Sequence, residues 1–477
     1  MDKGKREAKR WRQVRDWVVR QIDSGELAPT APLPSIRELA RLCATSLTTV
    51  QRALVDLEAE AYVVAVPRVG YFVAAARQGK APEPYDFSGV EVQVNQAVVA
   101  MLSQAASRPG LALSAAVLHD ELTPQVLLNR CLVSLAGKAD ARLAGLIAPP
   151  GDMGLRRRLA GLMLSRGVSA GPDDILITAG DSSALELALE AVAGQGALVA
   201  IETPTYYGIL QVIERLGMRA LPIRTHEASG MDLAQLEEAL QAQPVAAIFL
   251  NPTLQNPCGF IMPDAQRARL SQLARQADVP IIEDDIFFDL VPPAARPRAI
   301  KSYDSTGQTL YCASFSKTVA PGYRVGWCLP GRYREAILAQ LFARNLAVSS
   351  LAQQVLAEFI ARGYLDDHCA RLRAQFATTC DYLTAFVASH FPHGTRYLPP
   401  SGGFIHWLRL PEGTDMTALV ALAQTRGCAI AGSGIFFADG RDTTALRLCL
   451  GRALTPAVIQ GLQVLAECAQ QLGGRSA

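Results

Sequence analysis

Six short apolar runs between residues 174 and 330 carry the strongest constraint in this chain: DILITAG, ALVAIETP, AAIFLNP, PIIEDD, TLYCASF and VGWCLP. Helically spaced stretches separate them, among them SALELALEAVAG, DLAQLEEALQAQ and DAQRARLSQLARQA. Short apolar strands alternating with amphipathic helices predict an α/β domain, with a largely parallel sheet and helices on both faces. From about residue 360 the order becomes mixed, as in a smaller α+β subdomain. In a sheet of this kind functional groups gather at the carboxyl ends of the strands.

Those ends are unusually polar. TAGDSSA opens a helix, so the backbone N–H groups at Ser182 and Ser183 are placed to hold a phosphate. ETPTYYG offers Tyr206 as a flat aromatic surface, and NPTLQNPCG supplies Asn256 from a proline-stiffened loop. EDD sets Asp284 at a strand end. SFSK closes on Lys317, with Ser314 before it and Arg324 seven residues after it. Together these are an anion cradle with a cation, a stacking plate, an amide donor, a carboxylate and an amine. Pyridoxal 5'-phosphate needs such a set: donors for its phosphate, a carboxylate for its ring nitrogen, a stacking partner, and a lysine for its aldehyde.

The first 76 residues follow a different pattern. WRQVRDWVVRQI puts Trp11, Val14, Val18 and Ile22 on one helical face, and GELAPTAPLP then breaks the helix. Ser35, with Glu38 three residues on, forms a capping box for a second helix. Ser46 caps a third, and YVVAV and GYFVAA, split by PRVG, read as a hairpin. This is the layout of a winged helix-turn-helix. Residues 1–77 hold 13 Lys and Arg against 9 Asp and Glu, while the whole chain carries only +2, so the head is the place to look for a polyanion partner. Residues 77–94 read as a proline-containing linker, and 95–465 as the large domain.

The order TAG…SSALELAL, ETPTYYG, NPTLQNPCG, EDD, SFSKTVAPGYRVGW and LRLCLG resembles fold type I aminotransferases of class I. With the head, LPSIRELARLCATSLTTVQRALVDLEAEAYVVAVPRVGYFV, it resembles the MocR subfamily of GntR transcription regulators. The resemblance implies that Lys317 carries the cofactor as an aldimine and that Ser314 and Arg324 hold its phosphate. It implies Asp284 at the pyridine nitrogen, Asn256 at the ring hydroxyl, Tyr206 as the stacking ring and Arg447 as the grip on a carboxylate. In the head it implies DNA contacts from Ser35, Arg37, Thr48, Thr49 and Arg52, with Arg68 and Gly70 at the wing tip. Two half-sites on the operator, a homodimer and a small amino-group effector follow from the same resemblance.

Departures from the family pattern qualify it. Phe287 stands where the family usually has a tyrosine touching the cofactor hydroxyl, and Leu146 where a tyrosine usually reaches the partner's phosphate. Leu47 replaces an arginine common after the serine of the turn. The expectation is a regulator that senses pyridoxal phosphate or an amino compound at Lys317, with weak or absent transamination. A working aminotransferase with an accessory head is the alternative. Ten cysteines without CxxC pairs, no zinc-ligand spacing, and no membrane-length apolar run point to a metal-free protein of the cytoplasm.

Overall fold

The structure, a computed structural model, describes residues 14–473 apart from 16, 23–25, 28–30, 60–61, 67–69, 74–84, 108–109, 139–142, 345 and 442. The chain divides into two units, Met1–Asp86 and Phe87–Ala477.

In the first unit, helix α1 (Ile36–Leu42) begins at Ser35, whose hydroxyl accepts the Glu38 N–H at 3.3 Å while Glu38 Oε2 accepts the Ser35 N–H at 3.0 Å. Helix α2 (Leu47–Ala59) starts where Ser46 Oγ accepts the Thr49 N–H at 3.2 Å. Strands β1 (Val63–Val66) and β2 (Gly70–Val73) form the antiparallel wing, with Val63 opposite Val73 and Val66 opposite Gly70. The proline-rich stretch before α1 is not only a breaker. Leu33 N–H bonds Tyr71 O and Val73 N–H bonds Ala31 O, so this stretch lies along β2. Val14, Val18, Leu39, Val50, Leu54, Leu57 and Val63 close the head's core.

The second unit is built on a nine-stranded sheet. Its strands, with one helix, are β3 (Val90–Glu91), β4 (Leu176–Thr178), α3 (Asp181–Val192), β5 (Leu198–Thr203), β6 (Arg219–His226), β7 (Val245–Leu250), β8 (Ile281–Asp284), β9 (Thr309–Ser314) and β10 (Gly326–Leu329). The order is β3-β6-β5-β7-β8-β9-β10-β4, and Gly230–Met231 pairs beside β6 as the ninth strand. Strands β5 to β9 are mutually parallel, and β10 and β3 run against their neighbours. Val90 and Glu91, inside the stretch expected as linker, are thus part of the sheet. Strand β6 was not among the expected strands: Pro222 and the charged Arg219, Arg224 and His226 blur its alternation.

Side chains alternate across the sheet as strand geometry requires. Leu176, Leu310, Cys312 and Cys328 face the core that contains α3. Ile177, Tyr311, Ala313, Trp327 and Leu329 face the opposite core, against helices at 125–136, 153–165 and 350–361. Helices therefore cover both faces. The smaller part carries helix α4 (Tyr364–His390) and an antiparallel sheet of β11 (Arg396–Tyr397), β12 (Ile405–Arg409), β13 (Ala431–Gly432) and β14 (Ala445–Cys449), in the order β11-β12-β14-β13. No described helix is long and apolar enough to cross a membrane.

Candidate functional site

Lys317 and Arg324 stand at the two ends of the connection between antiparallel neighbours β9 and β10, in which Ser314 pairs with Gly326. That pairing explains their fixed separation. Ser314 is buried, and its Oγ accepts the Ser316 N–H at 3.2 Å to start the tight turn that presents Lys317. Phe315 pins the turn against Trp327, ring centroids 4.9 Å apart. After a second turn at Pro321–Tyr323, Arg324 adopts a left-handed backbone, φ 52°. Its guanidinium lies over Gly180, where a Cβ would stand 2.5 Å from Nη2, and Gly180 itself has φ 88°. Only glycine meets both demands at the entrance to α3. No side chain caps α3, which leaves its first-turn N–H groups available.

These elements enclose a cleft of about 410 Å³ lined by Asp181, Ser182, Tyr206, Asn256, Asp284, Ile286, Phe287, Ser316, Lys317 and Arg324. Tyr206 reaches it because Gly208 has no side chain: a Cβ there would lie 2.4 Å from the tyrosine ring. Asp284 ends β8 and accepts the Ile286 N–H at 3.2 Å. Burial pushes its carboxyl well above the usual range, and the neighbouring Asp181 adds to the shift. Lys317 Nζ donates to Ala116 O at 2.5 Å, and burial, seconded by Arg447, lowers its pKa against the opposing pull of Cys449, Asp181 and Asp284.

A buried amide network holds Asn256 in place. Its N–H bonds Asn251 Oδ1 at 2.9 Å, and Asn251 Nδ2 bonds Asp284 O at 2.6 Å. Asn251 N–H bonds Glu202 Oε2 at 2.9 Å; that carboxyl is pushed up to about 8 by burial. Arg447 comes from the centre of the small sheet, on β14, and is fully buried. It donates to Asn256 Oδ1 at 2.9 Å and to Ser114 O, and stacks over Phe436 at 4.7 Å. It is therefore one bond behind the cleft rather than on its surface.

The residues read from sequence do not all meet. Lys317, Arg324, Asp284, Asn256, Tyr206 and Ser182 line one cleft, whereas Ser183 and Ser314 do not. Ser314 Oγ accepts the Ser316 N–H within the turn, and Ser316, whose Oγ accepts from Arg324 Nη1 at 3.3 Å, lines the cleft. SFSK holds both serines, and the one beside a glycine-paired strand end was the less exposed choice. Asp181 was also missed; a carboxylate inside an expected phosphate cradle was a signal present in TAGDSSA. The carbonyls of Ser114 and Ala116 left no trace in sequence, because backbone acceptors have no residue identity.

In the head, Ser35, Arg37, Arg52 and Gly70 are exposed, and Thr49 is half-buried with its Oγ1 2.8 Å from Ser46 Oγ. A Cβ on Gly70 would meet nothing within 4 Å. Leu47, about half exposed, opens α2. Arg68 and the side chain of Thr48 lie outside the described residues.

Residues 11–73 match the family model for bacterial regulatory proteins of the gntR family, and residues 132–462 that for aminotransferase class I and II. The chain is 32% identical over 462 residues, 96% of its length and 98% of the other's, to the HTH-type transcriptional regulator YjiR of Escherichia coli K12. It is 35% identical over 437 residues, 91% and 93% of the two chains, to YdcR, an HTH-type transcriptional regulator of the same organism. Among solved structures, kynurenine aminotransferase of Pyrococcus horikoshii, in complex with PMP, KYN and KYA, superimposes with a TM-score of 0.73 at 27% identity, over 79% of this chain and 94% of that one. With a winged head at one end and this sheet and cleft at the other, the chain belongs to the DNA-binding GntR regulators of MocR-like architecture, whose helix-turn-helix is fused to an aminotransferase class I and II domain.

Proposed function

We propose that this regulator binds pyridoxal 5'-phosphate in the cleft and that occupancy of Lys317 sets its affinity for an operator. One observation carries the reading: an amine, a guanidinium, a carboxylate, an amide and an aromatic ring from five different strand ends line the same 410 Å³ space. The donor set fits the group end by end. Arg324, Ser316 and the uncapped start of α3 suit a phosphate. Asp284 suits a ring nitrogen, and Tyr206 a ring face. The cofactor supplies an aldehyde that condenses reversibly with amines. Burial favours the neutral, nucleophilic form of Lys317, which suits it to that exchange.

An incoming amino compound would compete with Lys317 for the aldehyde. Arg447, already turned toward Asn256, is the group that would receive its carboxylate. Turnover is the weaker reading: Lys317 and Arg447 favour it, while Phe287 offers no hydroxyl beside the lysine. We also propose a homodimer. Leu146 is 68% exposed, and Val126 and Val133, seven residues apart on the helix Gln125–Ala136, are 66% and 72% exposed. A second copy of the chain would cover them and give two heads for two half-sites. Operator binding through exposed Arg37 and Arg52 should weaken steeply with salt, and a cytoplasmic location follows from this role.

Saturation with pyridoxal phosphate, borohydride reduction and peptide mass analysis test the cofactor reading. The expected result is a pyridoxyl group on Lys317 and none on a Lys317→Ala protein. Wild-type protein that carries no such group after saturation would overturn it.

A further inference from the structure

A second groove lies between the small sheet and the end of β6. Its lining includes Arg396 and Leu398 from β11 and the residue beyond it, Trp407 and Arg409 from β12, Glu227 just past β6, and Cys258. None of these lines the cleft described above. Arg396 stands directly opposite Arg409 in the antiparallel register, so the two side chains leave the same face of the sheet. Like charges placed in this way repel one another unless an anion lies between them. Glu227 accepts a bond from Arg409 Nε and is the ion-pair partner of Arg409. Arg396 has no hydrogen-bond, ion-pair or ring partner among the described residues. One carboxylate therefore answers two guanidinium groups.

Beside the arginines the wall is apolar. Trp407, two residues before Arg409 and so on its face of the sheet, lines the groove with Cys258 and with Leu398, which is 52% exposed. A guanidinium pair with one charge to spare, next to an apolar wall, is the complement of an organic anion with a small apolar body. We propose that this groove is a second ligand site and that it takes a small organic carboxylate. Arg396 and Arg409 hold the carboxylate, and Trp407, Leu398 and Cys258 receive the apolar part. An inorganic anion would use only the first half of the site.

The groove and the cleft share walls. Cys258 lines the groove, and Asn256, two residues earlier in the same loop, lines the cleft. The loop is stiffened between them, where the Cys258 N–H bonds Gln255 Oε1 at 2.8 Å. Trp407 pairs with Arg447 across β12 and β14, and both meet Phe436: the indole edge-on at 5.7 Å, the guanidinium over the ring at 4.7 Å. A ligand against Trp407 and Cys258 thus bears on Arg447 and Asn256, which are bonded to each other at the back of the cleft. On the cofactor reading above, the groove is a place from which a second compound adjusts the first site.

Calorimetric titration of the full-length protein with acetate, isovalerate, phenylacetate and the neutral 2-phenylethanol tests the site. Phenylacetate should bind saturably and more tightly than acetate, and 2-phenylethanol about tenfold or more weakly than phenylacetate. Arg396→Gln, at an exposed position, should weaken phenylacetate by about tenfold or more, and Arg409→Gln should do the same. Glu227→Gln removes the competing carboxylate and should tighten it by about two- to fivefold, a gain that a merely structural ion pair would not give. Two results overturn the site: no saturable binding of any of the three carboxylates below about 10 mM, or equal binding by wild type and both arginine variants. The link to the cleft has its own readout. Phenylacetate should change the wild-type dissociation constant for pyridoxal phosphate by about fivefold or more and leave that of Arg396→Gln unmoved. Binding in the groove without that change upholds the site and overturns the link. Failure of pyridoxal phosphate to bind at all overturns the cofactor reading and leaves the groove standing.

Discussion

The two ends of the cleft are built to different standards. At the phosphate end each part requires the others: Gly180 leaves room for the Arg324 guanidinium, Arg324 turns through a left-handed backbone to reach it, and Ser316 meets Arg324 Nη1. At the end near the lysine the wall is apolar. Phe287 is buried, edge-on to Phe404 at 5.9 Å, with its ring 6.0 Å from Lys317 Nζ. Anchoring a phosphate and guiding protons around a reacting carbon are separable demands. The cleft holds groups suited to the first, while Phe287 brings no hydroxyl beside Lys317 for the second.

The largest expected effect comes from dismantling the well-built end. Arg324→Ala removes a charge-assisted contact of about 1.5–3 kcal/mol, so equilibrium dialysis should find pyridoxal phosphate held about 10- to 150-fold more weakly. A loss below about twofold would break the contrast. Repairing the poorer end should do the reverse. Phe287→Tyr adds one hydrogen bond of about 0.5–1.5 kcal/mol, hence about 2- to 10-fold tighter binding, and single-turnover reaction with amino acids should quicken. If the tyrosine leaves both unchanged, Phe287 is packing alone. The smallest effect concerns the ring plate between the ends. Gly208→Ala drives a methyl into Tyr206 and forfeits about 0.5–1 kcal/mol of stacking, about 2- to 5-fold in affinity, with the phosphate end untouched.

The strand ends that carry the cleft were legible because an α/β sheet forces its polar residues to one edge, and ETPTYYG, NPTLQNPCG, EDD and SFSK each fall there. What was not legible is orientation. Period alone cannot tell which serine of SFSK turns inward; the antiparallel pairing of Ser314 with Gly326 decides that. Arg447 was visible as an arginine in an apolar strand. Its burial behind Asn256 depends on the Ser114 carbonyl, which comes from a segment more than 300 residues away. Strand β6 was hidden because its charged residues and Pro222 sit in a strand whose neighbours, not its own pattern, keep it in the sheet. In the head, the capping box at Ser35 and Glu38 needs only local spacing. The bond of Leu33 to the wing needs the tertiary fold.

The central claim is that the state of Lys317 is read out at the DNA. Fluorescence anisotropy with an operator selected from random duplexes measures this directly, for wild type and Lys317→Ala, with and without pyridoxal phosphate and a panel of amino compounds. The account predicts that the cofactor, and one class of amino compound beyond it, shifts wild-type operator affinity by about 5- to 150-fold, the usual span of coupling between two sites, and leaves Lys317→Ala unmoved. Wild-type protein that carries the cofactor on Lys317, yet holds its operator equally with or without it and across the whole panel, would contradict it.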